Sequence, residues 1–185
     1  MNSEQLGITL QPAHVHLTKR MVWKLFGETA KLTPGTPTDM PGKFMAQQTV
    51  TVIGPGGATA VLPILGPSAP RNQVELSREL AESLGVTAKV EPSGAGTAGG
   101  LTLKGTVDEA MLEAGVMLPQ PHIHMPPEDA STLSLLDGQI ISLETADGRR
   151  LDNVMVRVSH LCTNRIHLLA EPDCPFRAED TFHIM

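Results

Sequence analysis

Two pairs of histidines, each with one residue between them, are the strongest chemical signal in the sequence. His14 and His16 form the first pair, and His122 and His124 form the second, with the same offset between corresponding members. Residues i and i+2 share a face of a β-strand but diverge on a helix, so each pair converges on one metal ion only in extended structure. One such pair alone is more often solvated or hydrogen-bonded. Two pairs at equal offset favour a metal site, with zinc as the ion, between two related halves of the chain.

Two further residues are candidate metal ligands. His167 lies in the apolar run Ile166–Leu169, and Glu75 lies in the segment QVELS. Burial of either side chain is costly unless it has a partner such as a metal ion. For His167 the alternative is a hydrogen-bonded histidine in the core. For Glu75 it is an exposed carboxylate.

Anion binding has weaker signals. Arg71 follows a proline-stiffened loop and precedes Glu75, so it is a candidate clamp for phosphate or carboxylate. The glycine-rich segment 94–100 matches neither the P-loop nor the dinucleotide fingerprint, and a flexible linker is the simpler interpretation.

The elements that position these residues are short. With 17 Gly and 15 Pro in 185 residues, few uninterrupted segments are long enough for extended helices. The sequence predicts a mainly β fold with short helices. The predicted strands are Gln48–Ile53, Thr59–Leu65, Gly138–Glu144, Val154–Ser159 and Arg165–Ala170, and the predicted helices are Lys19–Phe26, Ser77–Leu84 and Pro127–Leu136. Asp147-Gly148 predicts a hairpin turn.

The repeated order of HxH pair, helix and strand pair predicts two similar β-barrel domains related by internal duplication. We expect the first barrel at residues 1–92, a glycine-rich junction at 93–105 and the second barrel at 106–185. Exchange of the C-terminal strand between the barrels is left open.

Composition excludes several functions. A net charge of −6, four Phe, one Trp and no Tyr argue against nucleic-acid binding. The apolar runs are too short to span a bilayer, and no signal peptide is evident, so a cytoplasmic location is predicted. Cys162 and Cys174 form no CxxC motif and are interpreted as structural thiols.

Taken in order, five motifs resemble those of the PduL-type phosphotransacylases, or phosphate propanoyltransferases. The motifs are HVHL, LGP…QVELS, SGAGTAGG…LKG, HIHMPPEDA…DGQ and VRVS…RIHL. The resemblance implies two β-barrel domains with a dinuclear metal site, usually zinc, at their interface. It also implies interconversion of acyl-CoA plus phosphate with acyl phosphate plus CoA. One metal is then assigned to His14, His16 and Glu75, and the other to His122, His124 and His167.

The departures from the family pattern concern anion binding. The family usually has an arginine before each HxH pair, where this chain has Ala13 and Pro121. The family's phosphate-contacting arginine falls at Ala69, so Arg71 is the proposed replacement. All six metal positions are kept.

The leading hypothesis is therefore a zinc-dependent acyltransferase that uses coenzyme A and phosphate. One alternative keeps both metals but hydrolyses a thioester or phosphoester. Another is a non-catalytic, metal-stabilised microcompartment component. Only a short segment precedes the first strand, so no N-terminal microcompartment-targeting helix is expected; recruitment to a microcompartment with its enzymes, and a homo-oligomeric state, stay open.

Overall fold

The computed structural model describes residues 6–160 and 164–185, and Cys162 lies outside them. The strands are β1 (Leu6–Gln11), β2 (His14–His16), β3 (Pro34–Pro37), β4 (Phe44–Ile53), β5 (Thr59–Gly66), β6 (Gln73–Glu75), β7 (Val90–Glu91), β8 (Leu101–Lys104), β9 (Glu109–Leu112), β10 (Val116–Pro119), β11 (His122–Met125), β12 (Ile140–Thr145), β13 (Arg150–Val158), β14 (Arg165–Leu169) and β15 (Thr181–Ile184). The helices are α1 (Lys19–Phe26), α2 (Arg78–Leu84) and α3 (Pro127–Thr132). The predicted mainly β fold with short helices is confirmed.

The chain divides into two compact units. The terminal unit contains the chain up to Pro12, the short segment Asp39–Pro41, and the chain from Gln120 onward. The central unit contains Ala13–Thr38 and Gly42–Pro119. These boundaries differ from the predicted ones because strand pairing is not local in sequence. The first strand, β1, pairs with β14 and β15, while β8, inside the predicted junction, pairs with β4 and β9.

The terminal unit is a closed barrel with the strand order β1-β14-β11-β13-β12-β15. Its core contains Ile8, Ile123, Val156 and Ile166, which alternate with outward-facing residues along their strands and are fully buried. The predicted Asp147-Gly148 turn joins β12 to β13. Gly148 has a φ of 86°, which glycine adopts without steric cost.

The central unit is a nine-stranded half-barrel sheet with the order β7-β10-β6-β2-β5-β4-β8-β9, and β3 pairs with β4. Helix α1 has the predicted bounds. It begins where the Thr18 hydroxyl accepts a hydrogen bond from the Met21 N–H, and it buries Val22 and Leu25 in the core. Burial of each such side chain contributes about 1.5–3 kcal/mol. None of the helices in residues 6–160 and 164–185 has both the length and the apolar character of a membrane span.

The other two helices differ at their ends from the prediction. Ser77 caps α2 by accepting a hydrogen bond from the Leu80 N–H, so it precedes the helix rather than beginning it. Helix α3 ends at Thr132, short of the predicted Leu136. Ser134 has a φ of 55°, a left-handed backbone that does not continue an α-helix.

Each unit contains the same order of four strands. In the central unit β6-β2-β5-β4 are neighbours, and in the terminal unit β14-β11-β13-β12 are neighbours. The HxH strand is antiparallel to the first member and parallel to the third in both sets. This correspondence supports the predicted duplication.

Candidate metal centres

The first triad lies on two neighbouring strands of the central unit. His14 and His16 are on β2, and Glu75 is on β6 directly opposite His14 in the antiparallel register. The Nε2 atoms of the two histidines are 3.1 Å apart. Glu75 Oε2 lies 3.5 Å from His14 Nε2, and Glu75 Oε1 lies 3.6 Å from His16 Nε2. The sequence alternation and the strand register together bring the three predicted ligands into one cluster.

These distances fit a zinc site. Ligand atoms arranged tetrahedrally at about 2.1 Å from zinc are about 3.4 Å from one another, close to the three observed separations. His14 and Glu75 are almost fully buried, whereas His16 is 17% exposed. The triad therefore has one partly accessible edge, at which a substrate can approach.

Glu75 is held in place by polar neighbours that the sequence did not identify. Ser93 Oγ donates a hydrogen bond to Glu75 Oε1 at 2.6 Å, and Gln73 Nε2 donates to the same oxygen. Gln73 also accepts a hydrogen bond from the Gly94 N–H at 2.5 Å. The i, i+2 spacing of Gln73 and Glu75 on β6 is the sequence signal that could have indicated the first of these contacts.

The Glu75 side chain is ionised at neutral pH. Burial by itself raises its pKa, but the His16 and His14 rings and the Ser93 hydroxyl outweigh burial and lower the pKa to about 2. A deprotonated carboxylate is the form that binds a metal ion.

The second triad lies on two neighbouring strands of the terminal unit. His122 and His124 are on β11, and His167 is on β14 directly opposite His122. The donor atoms lie within 4.8 Å of one another, and the ring centroids are 4.9–5.4 Å apart. Three imidazoles are a donor set that zinc takes readily.

Hydrogen bonding and charge keep these imidazoles suited to metal binding. His122 Nδ1 lies 3.1 Å from the Gln120 carbonyl oxygen. Because a carbonyl only accepts, Nδ1 carries the proton and Nε2 is the ligand nitrogen. Burial, followed by the nearby His122, His167 and Arg157 side chains, lowers the pKa of His124 to about 3, so this ring is neutral at neutral pH.

Asp39 contacts the second triad, and the sequence did not identify it. Its Oδ2 accepts hydrogen bonds from His167 Nε2 at 3.0 Å and from the Thr9 hydroxyl at 2.7 Å. Burial raises the pKa of Asp39, but His167 and Thr9 outweigh it and lower the pKa to about 2. A carboxylate that binds one imidazole nitrogen fixes the ring so that the other nitrogen can bind a metal ion. Asp39 is distant from His167 in sequence, and no motif marks it.

Arg71 lies beside the central triad. It lines a cavity of about 540 Å³ together with His16, Lys43, Ser93 and Gly94. We call this the arginine cavity. The Arg71 Nη1 donates to the Gly94 carbonyl oxygen at 3.4 Å. The cationic side chains of Arg71 and Lys43 thus line the same cavity as His16, the partly exposed member of the triad.

Comparison with known proteins identifies the family of this chain. Residues 7–174 match the family model described as phosphate propanoyltransferase. Relatives named phosphate propanoyltransferase from Leptotrichia buccalis and Thermotoga maritima are 41% and 40% identical over 150 residues, which is 78% of this chain and 70% and 71% of theirs. One from Sebaldella termitidis is 36% identical over 173 residues, 90% of this chain and 81% of the relative. The chain belongs to the phosphate propanoyltransferase family of acyltransferases.

Proposed function

We propose that this enzyme transfers a short acyl group between coenzyme A and inorganic phosphate, with one zinc ion bound by each triad. The observation that carries the proposal is the central triad, in which three buried or partly buried donors have the spacing of zinc ligands and adjoin a cationic cavity. The family relationship supports phosphate as the acyl acceptor and is the ground for assigning both ions to one reaction.

The donor sets support the choice of metal. His14, His16 and Glu75 would hold one ion, and His122, His124 and His167 would hold the other. Imidazole and carboxylate ligands suit zinc, and three protein ligands leave a position for substrate. When bound, zinc supplies Lewis acidity that polarises a carbonyl or phosphoryl oxygen.

The arginine cavity supplies the electrostatic part of phosphate binding. Lys43 and Arg71 both face it, and an arginine fork matches the geometry of phosphate oxygens. Arg71 is thereby proposed as the phosphate-orienting residue that replaces the arginine missing at Ala69. Orienting the nucleophile lowers the barrier because it removes the entropy cost of a productive encounter.

The reaction balances without an additional reactant. A phosphate oxygen forms a bond to the thioester carbonyl carbon, and the bond between that carbon and sulfur breaks. The sulfur leaves with the bonding electron pair and takes up the proton that the attacking phosphate hydroxyl releases, which gives CoA. The other product is the acyl phosphate.

The direct test is the release of free CoA thiol from acetyl-, propanoyl- and lactoyl-CoA, measured with and without phosphate. We expect release only with phosphate, and we expect Arg71→Ala to raise the KM for phosphate about tenfold or more. Arg78→Ala, on the exposed side of α2, is the matched control and leaves that KM unchanged. Release that proceeds equally without phosphate would identify a hydrolase, and no release from any of the three would reject the proposal.

The cellular location and the oligomeric state of the enzyme are predicted from the sequence alone. We propose that the enzyme is cytoplasmic. Association with microcompartment enzymes and a homo-oligomeric state are the further possibilities to be tested. Cell fractionation and size-exclusion chromatography test them.

A further inference from the structure

Arg165 is a cationic side chain of the terminal unit that has no role in the mechanism described above. It lies on β14 two residues before His167, so both side chains project from the same face of the strand. In the parallel register with β1, Arg165 is directly opposite Gly7, and His167 is directly opposite Thr9. The register therefore brings Arg165 close to the residues that surround the terminal triad.

The guanidinium group of Arg165 belongs to a network that ends on His167. Its Nε donates a hydrogen bond to Thr9 Oγ1 at 2.8 Å, and its Nη2 donates to the Ile8 carbonyl oxygen. The same Nε lies 3.6 Å from Asp39 Oδ2. That carboxylate oxygen also accepts the hydrogen bonds from the Thr9 hydroxyl and from His167 Nε2. All of these residues lie within the terminal unit.

Gly7 leaves free the space that the guanidinium occupies. A β-carbon at position 7 would lie 2.8 Å from Arg165 Nη1 and 3.2 Å from Arg165 Cζ, and Cβ contacts below 3.0 Å essentially never occur in proteins. Gly7 is not among the glycines with a positive φ, so its backbone does not require glycine. The missing side chain is therefore what admits the guanidinium.

Arg165 supplies Asp39 with a positive charge that a metal-bound His167 does not. A histidine that binds a metal ion is neutral, so it offers a hydrogen bond but no charge. Asp39 is 17% exposed, and its Oδ1 atom is buried with no hydrogen-bond partner among the residues that the structure describes. A carboxylate in such surroundings is costly unless a cation lies nearby. The Arg165 guanidinium is such a cation.

Arginine suits this position better than lysine. Its planar fork holds the donors in fixed directions, and here it reaches a hydroxyl and a carbonyl oxygen while its charge faces Asp39. A lysine ammonium is a point charge on a flexible stem. A lysine at position 165 would therefore keep the charge but lose the direction of the hydrogen bonds.

We propose that Arg165 is a positioning residue of the terminal triad. It fixes the Thr9 hydroxyl and the Asp39 carboxylate, and Asp39 in turn keeps the His167 ring in its metal-binding orientation. This role rests on the proposed function for the metal ion at the triad. Arg165 acts on the metal affinity through Asp39 and does not itself contact the ion.

Arg165→Met tests the role, because methionine keeps an unbranched stem and removes the fork and its charge. Zinc affinity is measured by competition with a chromophoric chelator in full-length Glu75→Ala protein, in which only the terminal triad keeps all its ligands. We expect Arg165→Met to lower this affinity about tenfold and Arg165→Lys to lower it less. Arg150→Met, which removes an exposed ion pair of the same unit, leaves it unchanged. Equal affinities with and without Arg165→Met would overturn the proposal.

Gly7→Ala disturbs the same network without altering the arginine. The new methyl group displaces the guanidinium, so we expect a lower zinc affinity in this variant as well. Combined with Arg165→Met, Gly7→Ala should cause no further loss, because the group that it displaces is then absent. Losses that simply add in the double variant would contradict the role of Gly7 in placing Arg165.

A cobalt spectrum distinguishes positioning from a general loss of stability. Co²⁺ binds the same kind of donor set as zinc, and its visible absorption reports the geometry of the ligands. We expect Arg165→Met and Asp39→Asn to change the spectrum in the same way, since both act on His167, and Arg150→Met to leave it unchanged. A spectrum of Arg165→Met protein that equals the spectrum of the unsubstituted triad would reject the positioning role.

The positioning role and the proposed function fail separately. Absence of zinc from the terminal triad of Glu75→Ala protein that still carries Arg165 would reject the proposed metal site, and the positioning role with it. Undiminished zinc binding in Arg165→Met protein would reject the positioning role alone and leave the metal site in place.

Discussion

Each triad has at least one ligand whose orientation depends on a neighbour outside the triad. Ser93 and Gln73 hold Glu75 in the central unit, and Asp39 holds His167 in the terminal unit. Such contacts keep a ligand in its binding geometry before the metal arrives, so less entropy is lost on binding. We therefore propose that more residues than the six candidate ligands determine the metal affinity.

Removal of the Ser93 hydroxyl tests whether such a contact orients a ligand of the central triad. In Ser93→Ala the Glu75 carboxylate loses the hydrogen bond of 2.6 Å and becomes less fixed. We expect zinc affinity to fall about 10- to 100-fold, measured by competition with a chromophoric chelator. Ser83→Ala, an exposed serine on α2, is the control. Equal affinities of the Ser93 variant and the wild type would show that the contact does not orient the ligand.

Asp39→Asn tests the terminal triad with almost no change of shape. The amide keeps the size of the carboxylate but loses its charge, so it holds the His167 N–H less strongly. Zinc affinity at this triad is expected to fall about 10- to 100-fold while the central triad keeps its affinity. Asp152→Asn, which alters an exposed ion pair with Arg150, should leave both affinities unchanged. Loss of affinity at both triads would contradict the assignment of Asp39 to His167.

At the scale of elements, the strand register determines the position of the third donor, which no single motif specifies. An HxH motif places two imidazoles on one face of a strand, but the third donor comes from whichever strand pairs next to it. In both units that partner is antiparallel and places its donor opposite the first histidine. A shift of either strand by one residue would turn the third donor to the opposite face.

An ion-pair cluster connects the β12–β13 turn to the C-terminal segment of the terminal unit. Arg149 donates to both carboxylate oxygens of Asp180, at 2.7 and 2.9 Å, and also pairs with Asp147. Arg149 and Thr145 lower the pKa of Asp147 to about 2, and Arg149 with the Arg177 N–H lowers that of Asp180. The arginine thus stabilises the ionised form of both carboxylates.

The pH dependence of this cluster follows from the lowered pKa values. Both carboxylates have lower pKa values in the folded protein than the unfolded value of about 3.9, so their contribution is complete above that value and is lost as the pH falls through the lowered pKa of each. We expect Asp180→Asn to have a lower Tm than the wild type at pH 7. The difference should shrink as the pH falls from 7 to below the unfolded pKa of about 3.9, as followed by circular dichroism melts. A difference in Tm that stays constant over this range would show that the charge of Asp180 is not the cause.

Sequence reasoning succeeded where the determinants are local. The α1 bounds, the C-terminal end of α2 at Leu84 and the hairpin turn at Gly148 depend on caps and backbone freedom within a few residues. The two compact units have other boundaries than the predicted domains, because β1 and β10 pair with strands that the local pattern does not specify. Ser93 and Asp39 were missed for the same reason, since each meets its ligand only after the chain has folded.

At the scale of the whole molecule, the proposed function requires an acidic chain to bind two anionic substrates. The net charge of −6 offers no general attraction for CoA or phosphate. Lys43 and Arg71 at the arginine cavity of the central unit would supply it locally, and metal ions bound at the proposed sites would add further positive charge. The overall charge therefore describes the solvent-exposed surface rather than the site.

The metal content of the purified protein tests the central claim most directly. Elemental analysis is expected to give about two zinc ions per chain in the wild type, and about one in each of His122→Ala and Glu75→Ala, because each substitution removes a ligand from one triad only. His183→Ala, outside both triads, should retain two. Wild-type protein that binds no zinc when supplied with it, or variants that still hold two ions, would contradict the account.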